Sequence, residues 1–418
     1  AGLSRRTIGF VNEENKGAGL EYSFNKYLAG QDGYAYYQKI AGGIWKPVYD
    51  ANNVKAINGL DIHTTLDVNL QDVAETALYK AMVQHRADDG LVVVMEVQTG
   101  EVKAISNLSH DGNGHYYEKF NFATGGLFEP GSTFKLVTLI ALLEDSPVKL
   151  TDSVDTGNGE MIFHKKYKVR DHEEGGLGRV TVREAFEHSS NVAMARLTDE
   201  YFGKNPMRFV QHIERLKLNK PLGIQIAGEP EPRFTFPGQK GWSGISLPWM
   251  AYGYGFEITP LHTLALYNAV ANDGKMIKPL FVRAVSKADA TVERFRTESM
   301  VDKICSNKTL RQLQQLLEGV VENGTARNIR GTHYRIAGKT GTAEIPGPGG
   351  YTSMTNASFV GWGPVDDPRF IVYVWLEKPT SSPWGSVVAA PVFSQAVEEL
   401  VVLMKIPPDE VRQQLASP

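Results

Sequence analysis

Glu129-Pro130-Gly131-Ser132-Thr133-Phe134-Lys135, running on through Leu136, Val137, Leu139, Ile140, Leu142 and Leu143 to Glu144, is the stretch on which the reading of this chain turns. A Pro-Gly pair marks a turn. The side chains after it are apolar on nearly every side, so the spacing predicts one helix over residues 131–144, buried in the middle of a domain. Ser132 then stands near the positive N-terminal end of that helix, with Lys135 one turn onward on the same face. Such an arrangement has chemical content. A serine hydroxyl is a poor nucleophile until a base takes its proton, and a lysine, with a pKa of about 10.4 in water, serves as that base only when burial or cationic neighbours depress it. Ser-x-x-Lys also occurs at Ser23 with Lys26 and at Ser146 with Lys149, but only Ser132 opens a long apolar helix.

Working outward, Leu91 to Val97 and Glu101 to Ser106 read as two strands around the turn Gln98, Thr99, Gly100. Before them, Leu60, Ile62, Thr64 and Leu66 alternate as in a strand, and Leu70, Val73, Ala74, Ala77, Leu78, Ala81 and Met82 recur at helical spacing. Near the end, Ala357 to Trp362 and Phe370 to Leu376 flank Asp366, Asp367 and Pro368 as a hairpin, followed by a helix whose stripe is Val392, Phe393, Ala396, Val397 and Leu400. The sequence between is mostly helical. Together these imply an α+β fold in which an antiparallel sheet is completed by both halves of the chain and helices insert from the middle. Residues 1–58 are rich in Gly, Tyr and Asn, with short runs at 7–11 and 42–48, and read as a separate strand-rich module. A boundary near 58 follows, with the main domain over 59–406 and a tail at 407–418.

Two further elements share the site chemistry. Ser189-Ser190-Asn191 follows the helical-looking run from Val182 to His188; alone, such a tripeptide is as readily a helix cap. Lys339-Thr340-Gly341-Thr342 follows the strand-like Tyr334, Arg335, Ile336, Ala337 and is the only Lys-Thr-Gly in the chain. A phosphate-binding loop is excluded there, because its earlier glycine would fall on His333. On an edge strand, Gly341 would let a substrate backbone lie close, while Thr340, Thr342 and Lys339 offer hydroxyls and positive charge to a carboxylate.

Composition narrows the rest. In 418 residues, 42% hydrophobic and 22% charged with a net charge of -3, nothing marks a nucleic-acid binder. The basic run His164, Lys165, Lys166, Lys168, Arg170 faces Asp171, Glu173 and Glu174 and reads as a solvated hairpin face. The single cysteine, Cys305, permits no internal disulfide and no cysteine-rich metal site, and reads as a small buried hydrophobe. The apolar run from Leu136 to Leu143 is far below the roughly 20 residues that span a bilayer.

Taken in order, Ser132/Lys135, Ser189/Asn191 and Lys339-Thr340-Gly341 resemble the penicillin-recognising serine acyltransferases. Gly19-Leu20-Glu21, residues 59–71, 129–135, 252–260 and 320–326 extend the similarity to class B penicillin-binding proteins over essentially the whole chain. The Glu-Pro-Gly-Ser-Thr approach leans toward the division-specific septal transpeptidase rather than the elongation-specific one. The resemblance implies the penicillin-binding transpeptidase fold, an antiparallel sheet flanked by helices with a mainly helical insert, and a partial pedestal module of the dimerisation type over 1–58. It implies acylation of Ser132 by a peptidoglycan stem peptide, with Lys135 as base and the backbone N–H groups of Ser132 and Thr342 as oxyanion hole. It further implies Ser189 and Lys339 as proton relay, Asn191 on the donor amide, and Thr340 and Thr342 on its carboxylate, with no metal and no cofactor. β-Lactams would be inhibitors, lipid-linked precursor strands the substrate source, and a membrane glycosyltransferase the partner. An N-terminal membrane helix would hold the enzyme at the periplasmic face. The chain starts within what resembles pedestal sequence, so that helix would have been removed by truncation or processing.

Rival readings differ at particular residues. A class A β-lactamase needs a glutamate with an asparagine four residues on, and none of Glu200, Glu214, Glu229, Glu231, Glu257, Glu293, Glu298, Glu318 or Glu322 has one. A D,D-carboxypeptidase and a β-lactam sensor share the motifs, and the long N-terminal region argues against the sensor. An α/β-hydrolase elbow is excluded by Ile245 after Gly241-Trp242-Ser243-Gly244. His172 lacks the second histidine of a zinc-protease helix, and His188 reads as a helix-end residue. Trp242, Trp249, Tyr252 and Tyr254 read either as a groove lining or as packing.

Overall fold

Asp67 starts the first long helix, α1 (Val68–His85), by accepting from the Asn69 and Leu70 amides at 2.9 and 3.2 Å. The helix lays the buried stripe Leu70, Ala74, Ala77, Leu78, Ala81 and Met82 on a sheet. The computed structural model describes residues 3–416 apart from 50 and 164, so His164 lies outside the described residues. The sheet takes β1 (Asp89–Glu96), β2 (Val102–His110) and β3 (Tyr116–Tyr117) from the first half, and β4 (Ala337–Gly347), β5 (Gly350–Gly363) and β6 (Phe370–Glu377) from the second. Its order is β4-β5-β6-β1-β2-β3, antiparallel at every pairing, with β6 set against β1 so that Val372 faces Val94. The two chain halves therefore meet in the middle of the sheet, as their sequence patterns imply.

β1 and β6 are buried almost without alternation because helices cover both faces of the sheet. Between β3 and β4 lie α2 (Lys135–Asp145), α3 (Val182–Glu187), α4 (Asn191–Phe202), α5 (Pro260–Ala271) and α6 (Asn307–Glu322); after β6 come α7 (Gly385–Val388) and α8 (Ala390–Leu403). All residues of α5 are buried. At about 1.5–3 kcal/mol for each large apolar side chain taken out of water, α5 anchors the insert to the sheet. Gly385–Leu403 is the one helical span among the described residues with the length and mean hydropathy (1.5) to cross a bilayer, but 50% of it is buried within the protein. Its α8 part packs on β5, β6 and α1.

Three expectations are corrected. The helix expected over 131–144 is α-helical only from Lys135; Gly131–Phe134 is a 3-10 turn. Gly131 sits at φ 56, and its amide donates to the Gly253 carbonyl at 3.1 Å, so the chain must turn before it can coil. The strand-like Tyr334–Ile336 precede β4 without joining it, because the Arg335 amide is taken by the Asp409 carboxylate at 2.7 Å. At the N-terminus, Arg5–Ile8 is a helical turn and only Phe10–Val11 pairs as a strand. Leu20 and Phe24 are buried in the same apolar cluster as the sheet, whereas Tyr37–Lys39 and Trp45–Pro47 form an exposed hairpin. The expected hairpin face carrying Lys168 and Arg170 is present as Glu160–Phe163 paired with Tyr167–Arg170.

Candidate active site

The nucleophile turn is clamped from two sides. Glu129 Oε1 accepts from the Gly255 amide at 2.7 Å and from the Tyr351 hydroxyl at 2.8 Å, and Thr133 Oγ1 donates to the Pro130 carbonyl at 2.8 Å. Ser132 is 4% exposed and Lys135 fully buried. The Lys135 ammonium donates to the Ser189 carbonyl at 2.5 Å and to Ser189 Oγ at 3.1 Å. Burial, opposed only in part by Asp171, pulls its pKa down to about 7. From the opposite wall, the Lys339 ammonium donates to the same Ser189 Oγ at 2.8 Å and to the Thr340 carbonyl at 3.2 Å. Burial, and then the charge of Lys135, hold its pKa well below the ordinary value. Two cations sharing one hydroxyl in a dry site repel, so one is readily neutral, and a neutral lysine is a base.

Ser189 adopts φ 60, a left-handed conformation that is strained for serine and turns its Oγ between the two lysines. What holds the turn is Asp171, which sequence reasoning did not select. Its carboxylate accepts from Ser190 Oγ at 2.8 and 3.0 Å and from the Val192 amide at 2.9 Å, while Ser190 Oγ itself caps α4 at the Ala193 amide. Asn191 Nδ2 donates to the Arg170 carbonyl at 2.8 Å, and its Oδ1 is buried with no hydrogen-bond partner. A buried acceptor left open is suited to a donor supplied by a ligand.

Lys339 to Thr342 lie on β4, an edge strand as expected. Thr340 Oγ1 shares a 2.8 Å hydrogen bond with Thr325 Oγ1, and Thr342 Oγ1 accepts from the Gly385 amide at 3.3 Å. Glycine at 341 also has a packing reason. A Cβ there would sit 2.3 Å from Ser358 Oγ and 3.1 Å from Thr133, so the missing side chain serves packing against β5 and the nucleophile turn.

A cavity of about 280 Å³ brings Ser132, Ser189, Thr340 and Thr342 together with Thr325, His172 and Trp384. A second, of about 630 Å³, is lined by Asn191, Trp249, Tyr252, Tyr254, Tyr351 and Glu344, so three of the four expected aromatics line a groove. Trp242 packs on the main core instead. His188 ends α3 and lines the smaller cavity beside Glu173. His172 is exposed at the cavity mouth; partial desolvation of its ring and the charges of Lys135 and Lys339 lower its pKa. Glu129, seen in the sequence only as part of the approach to Ser132, is pushed up to about 7 by burial. Cys305 is buried, and among the described residues no cluster of His, Cys, Asp or Glu has a metal-holding arrangement.

Residues 90–398 match the family model for the penicillin binding protein transpeptidase domain. Stage V sporulation protein D of Bacillus subtilis is 28% identical over 415 residues, 96% of this chain and 63% of that protein; the chain thus spans a little under two thirds of its length. The Escherichia coli peptidoglycan D,D-transpeptidase FtsI is 29% identical over 423 residues, 97% of this chain and 67% of that protein. Among solved structures, penicillin binding protein 3 of Mycobacterium tuberculosis superposes with a TM-score of 0.81 at 26% identity, covering 97% of this chain and 90% of that one. That protein has also been solved in complex with aztreonam and with ampicillin.

Proposed function

The chain belongs to the penicillin-binding protein transpeptidase family, and from that premise we propose that it is a serine D,D-transpeptidase that cross-links peptidoglycan stem peptides. The observation that carries this reading is the convergence of buried Lys135 and Lys339 on the Ser189 hydroxyl, in the cavity that holds Ser132. Neutral Lys135 takes the proton of Ser132 Oγ, which attacks the carbonyl of the penultimate D-alanine. The N–H groups of Ser132 and Thr342 donate to the developing oxyanion. Ser189 passes a proton from Lys339 toward the leaving D-alanine, Asn191 Oδ1 accepts from a donor amide, and the Thr340 and Thr342 hydroxyls hold the terminal carboxylate. The amine of a second stem peptide then displaces Ser132. β-Lactams enter as donor mimics and leave a slowly hydrolysed adduct.

The Glu-Pro-Gly-Ser-Thr approach to the nucleophile supports a septal role at division. Family likeness supports a place at the periplasmic face of the cytoplasmic membrane, with an N-terminal helical anchor, a partner glycosyltransferase and lipid-linked precursor strands as substrate. In this reading residues 1–58 are the pedestal-type module, 59–406 the transpeptidase domain and 407–418 a tail. The test is to incubate the protein with a stem-peptide donor and an amine acceptor. A cross-linked product that disappears in Ser132→Ala is expected, and release of hydrolysed donor alone would make the enzyme a carboxypeptidase.

A further inference from the structure

The smaller and larger cavities share two lining residues, His172 and Trp384. Their rings meet edge to face, with centroids 4.8 Å apart and planes at 67°. They come from opposite walls. His172 follows Asp171, which is tied to Ser190 and Val192, and Arg170, whose carbonyl accepts from Asn191. Trp384 precedes Gly385, whose amide donates to Thr342 Oγ1, and follows Pro383, whose carbonyl accepts from Thr355 Oγ1 at 3.1 Å. Each ring is therefore carried by one of the two walls that hold the proposed substrate groups. Ser132, Thr340 and Thr342 line only the smaller cavity and Asn191 only the larger. A donor acylated on Ser132 and held at Asn191 must pass through the boundary where the rings touch.

We propose that the His172–Trp384 pair closes across the cleft over the acyl chain and sets which nucleophile resolves the acyl-enzyme, favouring an amine over water. This rests on the serine transpeptidase reading above. In aminolysis the acceptor nitrogen attacks the ester carbonyl, the C–N bond forms, the bond to Ser132 Oγ breaks, and Oγ takes up the proton that the amine gives up. In hydrolysis a water oxygen makes the new bond, the same ester bond breaks, Oγ again regains a proton, and a free acid leaves. Water fits any gap between two parted walls, whereas an acceptor peptide brings its own bulk to fill it. Both rings stand partly exposed at the cavity mouth, Trp384 at 37%, so the bridge screens the ester from solvent on its inner side until that bulk arrives.

The experiment compares wild type, His172→Ala, Trp384→Ala and His172→Phe. Each is first incubated with benzylpenicillin to establish acylation by intact mass. A separate portion of each, not exposed to the β-lactam, receives a thioester analogue of the D-alanyl-D-alanine terminus with D-alanine as the amine. The readout is the ratio of transfer to hydrolysis products, which does not depend on how fast the ester forms. Both alanine variants are expected to shift the ratio toward hydrolysis by roughly three- to tenfold, with His172→Phe restoring it toward wild type. An unchanged ratio in both alanine variants, or a phenylalanine variant as leaky as alanine, overturns the bridge and leaves the transpeptidase reading standing. A wild type that takes no adduct overturns both.

Discussion

Behind the Ser189 wall of the smaller cavity the buried titratable groups are bases, Lys135 and Lys339, whereas the larger cavity is walled by tyrosines with a buried acid, Glu129, behind Tyr351. The same physical cause acts in opposite directions. Removal from water penalises whichever form is charged, so Lys135 falls to about 7 and Glu129 rises to about 7. Near neutral pH the lysine behind Ser189 is ready to accept a proton. Behind the larger cavity, desolvation of the Glu129 carboxyl outweighs the hydrogen bonds from the Gly255 amide and the Tyr351 hydroxyl. One region is thus tuned for proton transfer. The other fixes position, since Glu129 ties the turn before Ser132 to the Gly255 loop and to β5.

This contrast can be broken at three places, in descending order of effect. Lys135→Ala removes the base, and the second-order rate of acylation by benzylpenicillin is expected to fall roughly 10²- to 10⁴-fold. In the wild type that rate should climb as pH rises through about 7, because only neutral Lys135 accepts the proton; a flat profile from pH 6 to 8 would show that another group is the base. Glu129→Gln tests the other cavity through stability. A carboxyl whose folded pKa lies above its unfolded value favours the fold when protonated. That contribution is full below about 4.5 and is lost as pH rises to about 7, a swing of up to about 3 kcal/mol. Urea unfolding between pH 4 and 8 should show this slope in the wild type and a shallower one in the variant. Asp171→Ala strands Ser190 Oγ and the Val192 amide, with an expected loss of about 1–3 kcal/mol in unfolding free energy and slower acylation, because Ser189 is then free to leave φ 60.

Local patterns made much of the molecule legible. Leu91 to Val97 and Phe370 to Leu376 announced strands of the central sheet, and Ser132, Ser189 and Lys339 stood out because each sits in a short motif whose neighbours set its position. The groups that sequence reasoning missed act across distance. Glu129 meets Tyr351 222 residues away, and Asp171 reaches Ser190 19 residues further on, contacts that no periodicity records. The 3-10 turn at Gly131 did have a signal, the Pro-Gly pair, but the apolar run after it masked the break. Glycine at 341 was read for the substrate, while the packing partner that fixes it, Ser358, belongs to the neighbouring strand.

The most direct measurement is intact mass after incubation with benzylpenicillin, on the wild type and on Ser132→Ala. The account predicts one covalent penicilloyl adduct on the wild type and none on the variant. A wild type that stays unmodified, or a variant that takes the same adduct, would contradict it.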